Sequence, residues 1–98
     1  MTIAVRFAAA AERDLAEISN YTEAEWGASQ AKAYLVAIAD AIDRIAAYSG
    51  IGSPINDVRG GYRKFRVERH NIYYRHRGTG IEIVRILHQR ADHPPKLQ

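Results

Sequence analysis

Apolar and polar positions change period twice along this chain. Ile3, Val5 and Phe7 alternate with other residues over positions 2–7, the period-two pattern of a short first strand. From Ala8 to about Glu25 the period lengthens to that of a helix. Ala11, Leu15, Ile18 and Thr22 share one face, while Glu12, Arg13, Glu17 and Glu23 lie on the rest of the surface. Trp26-Gly27 closes this helix, because glycine accepts the left-handed backbone that follows a helix end. Positions 28–48 predict a second helix, with Ala31, Leu35, Ile38, Ile42 and Ile45 recurring at spacings of 4, 3, 4 and 3. That stripe is core, and a single glycine between the helices implies an antiparallel hairpin.

The period then returns to two. Residues 49–61 read as a loop by their glycine, proline and Asn/Asp content. Three β-type runs follow, Gly61–Val67, His70–Arg75 and Ile81–Arg90, joined by turns at Glu68-Arg69 and Arg77-Gly78-Thr79-Gly80. Arginine and tyrosine alternate within them, which predicts one basic, aromatic sheet face and one apolar face. Pro94-Pro95 cannot continue a sheet, so residues 89–98 read as an exposed tail. The order is β-α-α-β-β-β, an α+β fold in which a two-helix hairpin packs on a mostly antiparallel sheet, with residues 1–98 forming a single domain.

Charge changes this picture only slightly. The 98 residues carry a formal net charge of +3, an excess that favours acidic partners without selecting one. There is no cysteine, so disulfides and thiolate chemistry are excluded. No apolar run approaches the ~20 residues needed to cross a bilayer. The N-terminus lacks the order of an export signal, and the expectation is a soluble, cytoplasmic protein. The histidines at 70, 76, 88 and 93 have no carboxylate or cysteine at ligand spacing, so no metal site is expected. Gly50-Ile51-Gly52 lacks the strand-to-helix context of a phosphate loop, and no cofactor is expected. Arg85 stands out because it interrupts Ile83-Val84-Arg85-Ile86-Leu87, where an unpaired charge is costly. It requires either a buried carboxylate, with Asp14, Glu17 and Asp92 as candidates, or an open face that meets a partner.

Taken in order, Asp14-Leu15 with Ile18 and Tyr21, Trp26-Gly27, Ala31 with Tyr34-Leu35, and Gly52 followed by Pro54 form the first half of a recognisable pattern. Gly61-Tyr62-Arg63 with Phe65 and Val67, His70 with Ile72-Tyr73-Tyr74-Arg75, and Ile83-Val84-Arg85-Ile86-Leu87-His88 with Arg90 and Asp92 complete it. Through these residues the chain resembles the ParE branch of the ParE/RelE superfamily of type II toxin–antitoxin (plasmid stabilisation) toxins, from about Ile3 to Asp92. The resemblance implies a growth-arresting toxin neutralised by a cognate, ParD-like antitoxin that covers the helical hairpin and the sheet edge. For the ParE branch it implies inhibition of DNA gyrase by binding; for the RelE branch, cleavage of mRNA on the ribosome.

Cleavage by a 2′-hydroxyl needs a base, an acid and a cation on the phosphate. His70 and His88 are candidates for proton transfer, and Arg63, Arg66 and Arg85 for the cation. The nuclease pattern is nevertheless poorly met. Asn71 stands where some nuclease members have arginine, no tyrosine follows His88, and only Asp57 is acidic in the loop before Gly61. The favoured reading is therefore a gyrase-binding inhibitor, with a target-binding set of Tyr62, Arg63, Arg66, Tyr74, Arg85, His88 and Arg90. Endoribonuclease activity through His70, His88, Arg63 and Arg85, or a non-toxic antitoxin-binding module, are the alternatives. Stacking of single-stranded nucleic acid on the tyrosines is a further use of the same face.

Overall fold

The computed structural model describes residues 3–55 and 61–91. Strand β1 (Val5–Phe7) leads into helices α1 (Ala9–Trp26) and α2 (Ala28–Ala47). A 3-10 turn at Ser49–Ile51 then leads to β2 (Ser53–Pro54), β3 (Arg63–Val67), β4 (His70–Arg77) and β5 (Gly80–His88). The strands lie in the order β1-β5-β4-β3-β2, antiparallel throughout except that β1 runs parallel to β5. The predicted fold class and element order hold. β2 is an addition, two residues inside the predicted loop that pair with β3 at the sheet edge, where Pro54 needs no ladder donor on its outer side.

Gly27 makes the helical hairpin possible. Its φ of 94° is barred to most side chains, its N–H donates to Glu23 O at 2.9 Å to close α1, and its carbonyl accepts from Ala31 to open α2. The predicted stripes face inward. Ile18 of α1 and Ile38, Ile42 and Ile45 of α2 pack on Ile72, Tyr74, Ile81, Ile83 and Ile86 of the sheet.

The other sheet face departs from expectation. Tyr62, Tyr73 and Tyr74 are 2 %, 2 % and 0 % exposed, so the tyrosines do not form an aromatic, basic surface. Tyr74 lies in the helix-side core, while Tyr62 and Tyr73 form a second cluster with Val84, flanked by Ile55 and Leu87. A sheet face that carries its own apolar cluster buries its aromatic rings there and leaves only cationic tips outside. Arg75 lies over the Tyr62 ring at 5.0 Å in this way.

Strand β5 contains one irregularity with large consequences. Strict alternation would place Arg85 inward with Ile81 and Ile83. A bulge opposite Tyr73 and Tyr74 makes Val84 an extra residue, so that Arg85 pairs with Tyr73 and Ile86 takes the inward position. Residues 56–60 with Asp57, the tail from Asp92 onward, and Thr2 of the predicted first strand lie outside the described residues.

Candidate functional site

β1 has three residues and pairs only with Ile81–Ile83, whereas β5 continues to His88. Among the described residues the second half of this edge is thus left without a neighbouring strand, and α1 supplies a side chain instead. Asp14, 8 % exposed, accepts the Ile86 N–H at 2.9 Å, occupying a position that a longer β1 would have filled. The same carboxylate takes Arg85 in a two-point contact, Nε at 2.8 Å and Nη2 at 3.1 Å. This hydrogen bond to Asp14 raises the Arg85 pKa above its ordinary value, against the opposing effect of burial. Of the carboxylates considered for Arg85, Asp14 holds it in the structure, and Asp92 lies outside the described residues.

Beyond that clamp lies a groove of about 700 Å³. Ile86, Leu87 and His88 form one side, α1 the other through Glu17, Ile18, Tyr21, Thr22 and Trp26, and Tyr34 with Glu68-Arg69-His70 forms the end. Tyr21 and Trp26 are 66 % and 64 % exposed, although both are large aromatics. Exposed rings rimming a concave apolar surface are what a macromolecular contact uses.

The end wall is a hydrogen-bonded cluster. The Tyr34 hydroxyl accepts the Arg69 N–H at 3.0 Å and lies 2.6 Å from His70 Nδ1. The His70 ring meets Tyr34 and His88 edge to face at centroid distances of 5.5 and 5.4 Å. Burial pushes the Tyr34 hydroxyl pKa up, partly offset by the Arg69 N–H. Burial, reinforced by His88 and opposed by Asp14, lowers that of His70 to about 4.

The His70 shift predicts an acid limit to stability. Its folded pKa lies below the unfolded value of 6.5, so the fold favours the neutral ring. The contribution is complete above pH 6.5 and is lost as pH falls from there towards about 4. Because the ring is only half-buried, screening reduces the effect to about 1–2 kcal/mol. Urea midpoints measured from pH 7.5 to 4 should fall by more in the unaltered protein than in His70→Asn, and parallel curves would refute the assignment.

The candidate target residues are scattered by the fold. Tyr62 and Tyr74 are buried and present almost no surface to a partner. Arg63 donates from Nη1 to Gly52 O at 2.6 Å and to Gly50 O at 3.5 Å, tying down the 3-10 turn. Arg85 belongs to Asp14. Arg66, His88 and Arg90 are exposed; Arg66 donates to Asn71 Oδ1 at 3.2 Å and Gln89 Oε1 at 2.7 Å. Among the four nuclease candidates, His70, His88 and Arg85 line the groove, and Arg63 does not. The sequence reading passed over Tyr34 and Trp26 as site residues. Tyr34 sits at helical spacing among core positions, and Trp26 beside a glycine reads as helix closure. No group of three or more histidine, cysteine, aspartate or glutamate side chains is arranged to hold a metal among the described residues. Nor is any described helix long and apolar enough to cross a membrane.

The family described as "ParE toxin of type II toxin-antitoxin system, parDE" matches residues 5–93. Toxin ParE1 of Mycobacterium tuberculosis (strain CDC 1551 / Oshkosh) is 45% identical over 84 residues, covering 85% of this chain and 86% of the relative. Toxin ParE1 of Caulobacter vibrioides is 38% identical over 84 residues, covering 86% of each. Among solved structures, a chain of the chromosomal ParDE TA system from P. aeruginosa superposes with a TM-score of 0.76 at 20% identity, over 89% of this chain and 96% of its own length. At that identity the likeness speaks to the fold.

Proposed function

The chain belongs to the ParE toxin family of type II toxin–antitoxin systems, and from that premise we propose that it inhibits DNA gyrase by binding rather than by catalysis. We propose further that a cognate ParD-like antitoxin neutralises it by filling the groove between α1 and the open half of β5. The observation that carries the first proposal is the engagement of Arg63 and Arg85, two of the three arginines that the nuclease alternative offers for its cation. Arg85 is held at two points by Asp14, and Arg63 is spent on the carbonyls of Gly50 and Gly52. A phosphate clamp needs guanidinium donors aimed at an open site. Here both point into the protein's own framework.

Two further features support the antitoxin contact. Tyr21 and Trp26 rim the groove, and beyond Ile83 the edge of β5 away from β4 has no strand beside it among the described residues. A partner segment seated there gains aromatic burial and backbone hydrogen bonds together.

The deciding experiment places purified toxin in a gyrase supercoiling assay and in a translation assay that maps cuts in ribosome-bound mRNA. Supercoiling should be inhibited, with cleaved DNA stabilised, mRNA left whole, and the effect abolished by antitoxin. Codon-specific mRNA cuts with gyrase untouched would replace this reading with the endoribonuclease. Absence of both effects from a folded toxin that still binds antitoxin would leave a binding module.

A further inference from the structure

Charge is divided between the two layers of this fold. Helix α1 carries Glu12, Asp14, Glu17, Glu23 and Glu25 against Arg13. The sheet face turned away from the helices has the opposite balance. Ile72 and Tyr74 of β4 pack on the helices, so Tyr73, Arg75 and Arg77 point outward, and the strand register places Arg6, Lys64, Arg66 and Glu82 on the same side. Besides Arg85, which Asp14 holds, five cations share that face with Glu82, the one carboxylate the described strands place there; the whole chain carries only +3. Glu82 reaches two of them, Arg75 at 3.2 Å and Arg77 at 3.4 Å. Among the described residues Arg6, Lys64 and Arg66 have no carboxylate partner. Arg66 is held by Asn71 and Gln89, neutral groups that fix its guanidinium without cancelling its charge. Like charges gathered on one face repel, and Lys64 and Arg77 stand exposed, so packing does not explain them.

We propose that this outer face binds the phosphate backbone of duplex DNA through Lys64, Arg66 and Arg77. The choice of DNA rests on the gyrase reading given above, because duplex DNA is the substrate gyrase holds, and it gives the toxin a second contact at its target. The chemistry of the face selects the class of partner. Tyr62 and Tyr73, the rings on this side, are buried with Val84. An acidic protein surface would need apolar anchors for a stable contact, and these are covered. Unpaired bases would need exposed rings to stack on, and those are the same covered tyrosines. A duplex requires neither. It presents one charge per ~1.7 Å of its axis, and cations spread over the adjoining strands β3 and β4 gain by releasing its counterions.

Fluorescence anisotropy of a labelled DNA duplex of arbitrary sequence, titrated with purified toxin at salt concentrations from about 50 to about 200 mM, provides the test. With three phosphates neutralised, Kd should rise about 40-fold across that range. For Lys64→Gln/Arg77→Gln the rise should shrink to about 3- to 4-fold, each lost cation lowering the slope by about one. Arg13→Gln/Lys32→Gln removes two exposed cations from the helical layer, has the same net charge as the first variant, and should keep the parent's response. Thermal melts establish that both variants are folded. If the first is not, the single variant Arg77→Gln, at a side chain 56% exposed, should show a rise of about 12-fold. No binding at 50 mM salt overturns the inference, as does an equal loss in the helical-layer variant. Tighter binding to single-stranded DNA or to duplex RNA overturns the choice of duplex DNA, and equal competition by polyglutamate overturns it in favour of an acidic protein. Inhibition of supercoiling by a toxin that does not bind DNA removes this inference and leaves the gyrase reading standing. DNA binding with supercoiling untouched removes the gyrase reading and leaves this surface standing.

Discussion

Replacing Arg85 with alanine is expected to cost about 3 kcal/mol of stability, a fall in Tm on the order of 12–20 °C for a domain of this size. The figure is the low end of what breaking a buried ion pair costs, because the Arg85 side chain is 28% exposed while that of Asp14 is 10% exposed. The loss comes from the partner left behind. Without the guanidinium, Asp14 keeps one donor, the Ile86 N–H, and must hold its charge against α1 with little access to water. Asp14→Asn should lose less, since an amide oxygen still accepts from Ile86 and only the charge pairing disappears. Thermal melts at pH 7 provide the measurement. A variant within about 1 kcal/mol of the parent at pH 7 would mean that Arg85 is not structural and would return it to the target-binding candidates.

This outcome also governs how toxicity data are read. Arg85 carries the strongest sequence signal for function, a charge inside an apolar strand, yet the same position joins α1 to β5. Loss of toxicity in Arg85→Ala therefore counts as evidence of a target contact only if the variant is folded at the assay temperature. Arg66 and Arg90 are exposed and free of that confusion.

The helical half was legible because its periods are long and unbroken. Ile38, Ile42 and Ile45 stand at core spacing and are buried at the helix–sheet contact. Gly27 between two stripes permits little but a hairpin. The sheet was legible as strands and illegible as faces. A bulge leaves no mark in the sequence, and by shifting the side-chain alternation within β5 it takes Arg85 off the inward face, where Ile86 stands instead, and Arg85 meets Asp14 at the open edge of the strand. The tyrosines misled for a related reason. Alternation with arginine distinguishes two faces but not an exposed face from one with its own apolar cluster, and Tyr62, Tyr73 and Val84 form such a cluster. The groove depends on a comparison no local pattern contains, a three-residue strand beside a nine-residue one. The resemblance drawn from the whole motif order reached the family, whereas single motifs did not reach the site.

The second large effect is expected at Gly52. Its φ of −79° is one that any residue adopts, so the constraint is space alone. A Cβ there would stand 2.5 Å from the Tyr74 hydroxyl oxygen and 2.8 Å from the backbone oxygen of Lys64. Neither neighbour can yield cheaply. Lys64 is held in the β3 ladder, and the Tyr74 hydroxyl accepts the Gly52 N–H at 2.8 Å while donating to Ser49 O at 2.8 Å. Arg63 closes the arrangement from the other side through Gly52 O. Gly52→Ala should therefore destabilise by about 2–3 kcal/mol, the usual cost of forcing atoms into a filled site. Tyr74→Phe should lose about 1–2 kcal/mol by leaving the Gly52 N–H and the Ser49 carbonyl without their partner. The double variant Gly52→Ala/Tyr74→Phe separates the causes. If the hydroxyl is what the new methyl strikes, removing it relieves part of the clash, and the two losses together fall short of their sum by at least about 0.5 kcal/mol. Additive losses in urea unfolding would place the obstruction at Lys64 and the β3 backbone, and would show that the Tyr74–Gly52 contact is not what fixes the turn against the sheet.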